Sequence, residues 1–227
     1  MHNAPVRVML IGAAGRMGKT VREVAQNDPE IQIAGLCDLG DSIKPAMRNC
    51  DVAIDFSQAD SIDEICRNAL QHGKSLVIGT TGHSEQQRKT IQETAQSVPI
   101  VLASNFSVGV NMLFWLTKKA GELLGADFDP EIVETHHTMK KDAPSGTAKT
   151  LAEVLKAVRN SEIRIQSIRE GDVVGEHTVI FSGPSERLEL THRADDRGIF
   201  ALGALRAAKW IMNKPPGLYS MQDVLGL

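Results

Sequence analysis

Apolar residues fall in short runs through the first hundred positions, and between the runs they recur every three or four residues. The runs at 6–11, 31–37, 52–56, 75–78 and 99–103 predict buried strands. Between them, 15–25 predicts a helix with Met17, Val21, Val24 and Ala25 on one face. A second helix begins at Ser61, where Ser61 and Glu64 have the spacing of a capping box. It buries Ile62, Ile65, Cys66, Ala69 and Leu70 and closes at Gly73. A polar helix spans about 84–96. Strand and helix in alternation predict a parallel sheet. Only residues 39–50 join the second and third strands, which leaves little room for a full crossover helix. Beyond position 107 the rhythm changes. A long helix at 110–124 and a strand at 131–136 lead into a Pro/Ser/Gly loop and a helix at 147–158. Strands at 164–168, 177–181 and 187–191 then follow with no helix between them. That order predicts a mixed or mostly antiparallel sheet in a second domain, and a helix at 199–212 returns to the first.

Composition narrows the function. With 227 residues and 42% hydrophobic content the chain can bury two modest cores. A formal net charge of -3 without a basic run, and an aromatic content of 4%, argue against nucleic acid and against an anionic membrane surface. Three cysteines, Cys37, Cys50 and Cys66, form no C-x-x-C pair and suggest reduced thiols. No stretch approaches a membrane span, and residues 1–7 carry no apolar leader, so the expectation is a cytoplasmic protein acting on a small molecule.

The first strand ends in Gly12-Ala13-Ala14-Gly15-Arg16-Met17-Gly18. Three glycines there allow a sharp turn and a close approach of backbone to a pyrophosphate at a helix N-terminus. Asp38 ends the second strand, twenty residues after Gly18, where a carboxylate can accept hydrogen bonds from ribose hydroxyls. Gly79-Thr80-Thr81-Gly82 and Ala103-Ser104-Asn105-Phe106 follow the fourth and fifth strands. Singly, each loop also reads as plain turn chemistry. Three on the carboxyl rim of one sheet predict a Rossmann-like dinucleotide crevice.

In the second domain, His136, His137, Lys140, Lys141, Ser145, Gly146 and Thr147 converge within twelve residues. Lys140 offers a point charge, and the helix entry at Gly146 and Thr147 offers backbone N–H groups to an anion. Together they suit a small dicarboxylate, with a histidine able to move a proton near neutral pH. Residue by residue, a strand-edge histidine and an ordinary helix cap remain open readings. Adjacent side chains on a strand point to opposite faces, so His136 and His137 are not expected to share a metal ion.

The block from Glu134-Thr135-His136-His137 through Lys140 to Asp142-Ala143-Pro144-Ser145-Gly146-Thr147-Ala148 resembles the substrate motif of the 4-hydroxy-tetrahydrodipicolinate (dihydrodipicolinate) reductase family. The resemblance extends in order through Gly15-Arg16-Met17-Gly18, Asp55-Phe56-Ser57, Gly79 to Gly82, Asn105 to Asn111, Arg169-Glu170-Gly171 and Gly175-Glu176-His177-Thr178. It implies an α/β protein with a dinucleotide-binding domain at 1–106, completed by 197–227. A substrate-binding and oligomerisation domain with a mixed sheet, residues 107–196, would assemble a homotetramer. By the same resemblance His136 and Lys140 are catalytic, and His137, Gly146 and Thr147 bind substrate carboxylate. The cofactor site comprises Gly12, Ala13, Ala14, Gly15, Arg16, Met17, Asp38, Phe56, Gly79, Thr80, Thr81, Ala103, Ser104, Asn105 and Phe106. The implied reaction removes water from a hydroxylated ring and adds hydride from NADH or NADPH. Where some longer members carry an arginine this chain has Leu39, which with Asp38 favours NADH modestly and leaves NADPH usable. The short link after Cys37 would leave the adenine side open. Another imine or semialdehyde dehydrogenase, or a nicotinamide-sensing protein without turnover, are the competing functions.

Overall fold

A computed structural model describes residues 4–159 and 162–227. In chain order the elements are β1 (Val6–Ile11), α1 (Arg16–Ala25), β2 (Ile31–Cys37), α2 (Ile43–Asn49), β3 (Val52–Asp55), α3 (Ile62–His72), β4 (Ser75–Ile78), α4 (Glu85–Thr94) and β5 (Pro99–Leu102). There follow α5 (Val108–Leu123), β6 (Asp129–His136), α6 (Gly146–Arg159), β7 (Arg164–Arg169), β8 (Gly175–Ser182) and β9 (Arg187–Ala194). The chain closes with α7 (Gly198–Ile211), β10 (Gly217–Tyr219) and α8 (Met221–Leu225). Two compact units result: the chain up to Phe106 together with Gly198–Leu227, and Ser107–Arg197.

The first unit is a six-stranded parallel sheet in the order β10-β5-β4-β3-β1-β2. The central strands β1, β3, β4 and β5 are largely apolar on both sides because both faces are covered, whereas β2 at the edge carries Gln32 and is buried only at Ile31 and Cys37. Val8, Leu10, Val52, Ile54 and Val77 point into a core shared with α1, α7 and α8. Their neighbours Met9, Ile11, Ala53, Leu76 and Ile78 point into a second core under α2, α3 and α4. Each fully buried aliphatic side chain contributes about 1.5 to 3 kcal/mol. From β1 the chain winds to β2 on one side and then crosses to β3 on the other. The carboxyl ends of β1 and β3 are therefore the switch point, where such sheets open a crevice.

Two local expectations are corrected. The short link does hold a crossover helix, because α2 needs only seven residues and Gly35 lets it lie directly on β2. A Cβ at Gly35 would come within 2.8 Å of the Ala46 Cβ. Pro45 sits in the first turn, where its missing N–H costs nothing. Ser61 is no cap: a 3-10 turn at Ala59–Ser61 already gives it helical backbone angles, and its hydroxyl makes no capping bond. Capping boxes form instead at Ser84 with Gln87 and at Ser220 with Asp223. Gly73 does close α3, in the left-handed conformation at φ 61°.

The second unit is a four-stranded mixed sheet, β7-β6-β8-β9, parallel only between β6 and β7. Helices α5 and α6 cover one face through Val110, Phe114, Leu151 and Leu155 packed on Ile132, Val179 and Phe181. On β6 the alternation buries Pro130, Ile132, Glu134 and His136 on one side. Two of those four are ionisable, and they begin the site. No helix among the described residues is long and apolar enough to cross a membrane.

Candidate active site

In the first unit the loops on the sheet's carboxyl rim are fixed by one further ladder bond each. Gly12 N–H donates to Cys37 O at 2.8 Å, Phe56 N–H to Ile11 O at 3.0 Å, Gly79 N–H to Asp55 O at 2.8 Å, and Ala103 N–H to Ile78 O at 3.1 Å. Gly12 has φ +79°, and a Cβ there would stand 2.5 Å from the Phe56 carbonyl oxygen. Only glycine combines that angle with that approach. Gly15 is the N-cap of α1. Asp38 accepts the Ala14 N–H at 2.8 Å, tying the end of β2 to the glycine turn. A cavity of about 270 Å³ opens here, lined by Gly12, Gly15, Asp38, Leu39, Phe56 and Ser57 among others.

The remaining first-unit residues divide by burial. Arg16, Thr81 and Ser104 are exposed on the rim, and Met17, Phe56, Gly79, Ala103 and Asn105 are half-buried. Ala13 and Phe106 lie in the core, so Ala13 offers the crevice backbone alone. The Phe56 ring meets the Phe106 ring edge-on at 5.8 Å. It also leaves no room for a side chain at Gly79, where a Cβ would lie against the ring. Beneath these loops Asp55 is fully buried and accepts the Ser57 N–H at 3.0 Å and hydroxyl at 2.5 Å. Burial pushes its carboxyl above the usual range despite those bonds.

In the second unit the resemblance-derived residues gather around the end of β6. His136 is buried, whereas His137 is half-buried and donates its backbone N–H to Val173 O at 2.7 Å. Gly146 is the exposed first residue of α6, and Thr147 follows half-buried. Ser145 precedes them as a cap, its hydroxyl accepting the Ala148 N–H at 3.2 Å. Lys140 is already paired, its Nζ 2.7 and 2.9 Å from the Asp142 carboxylate oxygens. That contact holds Asp142 below its ordinary range.

Sequence reasoning gave Ser145 only a helix-capping role and none to Glu134, Arg169 or His177, yet together they join the histidine to the lysine. The fully buried Glu134 carboxylate contacts His136 Nδ1 through Oε2. Its Oε1 accepts from Arg169 Nη2 at 2.9 Å and from the Ser145 N–H at 3.4 Å. Arg169 Nη2 also donates to the Asp142 carbonyl oxygen at 2.5 Å, so the lysine-bearing loop hangs on the same guanidinium. The Ser145 hydroxyl lies 3.0 Å from His177 Nε2, and the His177 ring stands edge-on to His136 at 5.0 Å. The available signal was the spacing Glu134-x-His136, since residues two apart on a strand share a face.

Burial lowers the affinity of His136 for protons, and the nearby Glu134 offsets this only in part. His177 is held lower still, at about 4, by burial and then by its histidine neighbour. Glu134 is desolvated, but Arg169 and its other donors hold it below the ordinary carboxylate range. At neutral pH the group is therefore a carboxylate between an arginine and two neutral imidazoles. Donor atoms of Glu134, His136 and His177 all lie within 4.8 Å of one another, a spacing a metal ion could use. His136 Nδ1, both Glu134 oxygens and His177 Nε2 already have protein partners, however, and a guanidinium occupies one side of the carboxylate. The arrangement is that of a hydrogen-bonded relay.

Comparison with known proteins covers both units. The family model described as dihydrodipicolinate reductase, N-terminus, matches residues 6–106, and that described as dihydrodipicolinate reductase, C-terminus, matches 109–225. A 4-hydroxy-tetrahydrodipicolinate reductase from Akkermansia muciniphila is 48% identical over 242 aligned positions, covering 98% of each chain. One from Methanoculleus marisnigri is 41% identical, covering 98% of this chain and 100% of its own. Among solved structures, a dipicolinate-bound dihydrodipicolinate reductase from Paenisporosarcina sp. TG-14 superposes with a TM-score of 0.85 at 22% identity. That match covers 96% of this chain and 98% of the other.

Proposed function

Because the chain belongs to the dihydrodipicolinate reductase family, we propose that it reduces 4-hydroxy-tetrahydrodipicolinate to tetrahydrodipicolinate on the diaminopimelate route to lysine. The observation that carries this reading is the full-length match together with a second unit holding His136, His137, Lys140, Gly146 and Thr147 around one strand end. Family membership also answers the competing dehydrogenase reading, since both units match one family and in order.

The first unit fits a nicotinamide dinucleotide. Its cavity lies at the switch point of a parallel sheet, the glycine turn admits close backbone approach, and Asp38 lines the wall. When bound, the cofactor supplies hydride. Arg16 and Met17, in the first turn of α1, would present backbone N–H groups and one cation to the pyrophosphate, while Gly12, Ala13, Ala14 and Gly15, whose own N–H groups donate within the protein, would shape the turn that it lies against. Asp38 would face the ribose, and Phe56, Gly79, Thr80, Thr81 and Ala103 to Phe106 the remainder. Asp38 and Leu39, with no cation between them, favour NADH, and exposed Arg16 keeps NADPH usable.

In the second unit Lys140 would exchange Asp142 for a substrate carboxylate, and the α6 N-terminus at Gly146 and Thr147 would take another with His137. Net reaction requires loss of water, one hydride and one proton. Lys140 is a cation at the site, whereas His136 is neutral at neutral pH. Lys140 is thus the better-placed acid, and His136 the acceptor or orienting group. The dicarboxylate in the related solved structure agrees with a small dicarboxylate ligand. Three free, buried cysteines fit a cytoplasmic location, and the second face of the mixed sheet, away from α5 and α6, suits assembly into a homotetramer.

The test is a coupled assay in which a synthase makes the unstable ring in situ while oxidation of NADH and NADPH is followed. Turnover supports the proposal. Cofactor binding with no oxidation would instead favour the sensing protein.

A further inference from the structure

We infer that Glu134 is a positioning residue of this site: clamped by Arg169, its buried carboxylate holds the Nδ1–H of His136 and leaves Nε2 as the working edge. The inference rests on the proposed function and concerns a residue outside the catalytic and substrate-binding set expected from the motif.

The tautomer follows from donor and acceptor chemistry. An ionised carboxylate only accepts hydrogen bonds, so the ring nitrogen that contacts it must carry the proton. A neutral imidazole then has a bare lone pair at Nε2. That edge faces Gly175, where even a Cβ would stand 3.1 Å from Nε2 and 3.3 Å from Cδ2, so no side chain covers it from β8. The other Glu134 oxygen is fixed by Arg169 and by the Ser145 N–H, so the carboxylate cannot swing away from the ring. Arg169 meanwhile holds the Asp142 carbonyl, and Asp142 holds Lys140. One buried anion therefore sets the orientation of the histidine and, through the guanidinium, the seat of the lysine. Packing does not explain a fully buried Glu beside His136 on this strand face, since a leucine there would fill the space without desolvating a charge.

The experiment begins with the unaltered protein. Nitrogen-15 spectra of labelled histidine, assigned with His136→Gln, should show His136 protonated at Nδ1 and bare at Nε2 from pH 7 to 8. Finding the proton on Nε2 would overturn the inference, as would a stoichiometric metal ion on this nitrogen. In the coupled assay Glu134→Gln should lower kcat roughly 10- to 100-fold, the scale for partners that orient functional histidines. KM for NADH should stay within about twofold. The acidic limb of the kcat profile should move to lower pH, because His136 would then face Arg169, Lys140 and His177 without its compensating anion. If Glu134→Gln folds poorly, Glu134→Gln with Arg169→Gln replaces the ion pair by a neutral one and should show a similar kcat loss with a smaller pH shift in the same direction, since one of the facing cations is removed with the anion. Unchanged kcat and pH profile in a folded variant would mark Glu134 as structural only. An inactive unaltered protein would defeat the proposed function, while its spectra would still decide the tautomer.

Discussion

The carboxylate of Asp38, at the end of β2, accepts the backbone N–H of Ala14, in the turn after β1, at 2.8 Å. One residue thus shapes the glycine turn and bounds the cavity beside it. A 2′-phosphate would bring a dianion toward that carboxylate, and no arginine follows it, because Leu39 projects into solvent at 90% exposure. Water and salt screen the repulsion at such an open site, so NADH should be favoured by about 1 kcal/mol, roughly fivefold in kcat/KM. Asp38→Ala should erase the preference and weaken both cofactors by loosening the turn. Arg16→Ala should weaken NADPH more than NADH. A strong NADPH preference in the unaltered enzyme that survives Arg16→Ala would defeat this account.

Lys140 and Asp142 make opposite predictions. Charge-assisted bonds from a lysine contribute roughly 1.5 to 3 kcal/mol, so Lys140→Ala should cost at least about tenfold in kcat/KM, and more if it delivers the proton. NADH affinity, measured by fluorescence titration, should not change. Asp142 is 56% exposed, and a pair of that kind contributes at most about 1 kcal/mol. Asp142→Asn should therefore alter kcat/KM less than about fivefold. His136→Gln should lower kcat by about 10² to 10⁴ if the ring exchanges a proton with substrate, and far less if it only orients.

How much of this was legible in the sequence depends on the range of the interaction. Runs such as Val6–Ile11 and Ser75–Ile78 announce buried parallel strands because their residues from Val8 and from Leu76 onward, facing either side, are apolar. The α2 helix was not legible, since its space exists only because Gly35 lies under Ala46, a contact eleven residues apart across two elements. The Ser61 capping box looked right by spacing and failed because the preceding turn was already helical. In the site, the motif named His136 and Lys140, but the partner that links them, Arg169, comes from β7, thirty-five residues beyond Glu134. Pairing of β6 with β7 brings Arg169 opposite His136, and periodicity does not give that register.

Gly203 tests how α7 seats on the first unit. A Cβ at this position would run into the carbonyl oxygen of Phe106, and backbone cannot move aside as a side-chain end can. Flanked by Ala201, Ala204, Ala207 and Ala208, all fully buried, the helix approaches as closely as it does because of these small residues. Gly203→Ala should therefore destabilise despite alanine's better helix propensity, by about 1 to 3 kcal/mol from overpacking. For a chain of this size that lowers Tm by roughly 2 to 12 °C. Calorimetry showing an unchanged or higher Tm would mean that α7 has slack to shift.

His177 should give the protein a stability loss on mild acidification. Its ring is buried, and burial holds its pKa at about 4, against an ordinary value of 6.5. Between those two values the unfolded chain binds a proton that the folded chain refuses. Stability is accordingly full above pH 6.5 and falls as pH drops toward 4. The shift corresponds to roughly 3 kcal/mol once the window has been crossed. His83, His136 and His192 are lowered in the same direction and steepen the fall. Asp55 works the other way: its raised pKa contributes stability that is present below the ordinary carboxylate value and lost as pH rises through the folded one. Comparing the unaltered protein with His177→Gln removes the contributions of groups distant from His177 and leaves its own together with its coupling to His136 and Glu134. Urea unfolding followed by circular dichroism at pH 7.5, 6, 5 and 4.5 should show the variant less stable at pH 7.5, having lost the Ser145 contact, but losing less on acidification. Parallel curves across that range would mean that His177 accepts its proton in the folded state, and that the buried relay beside His136 tolerates a second positive charge.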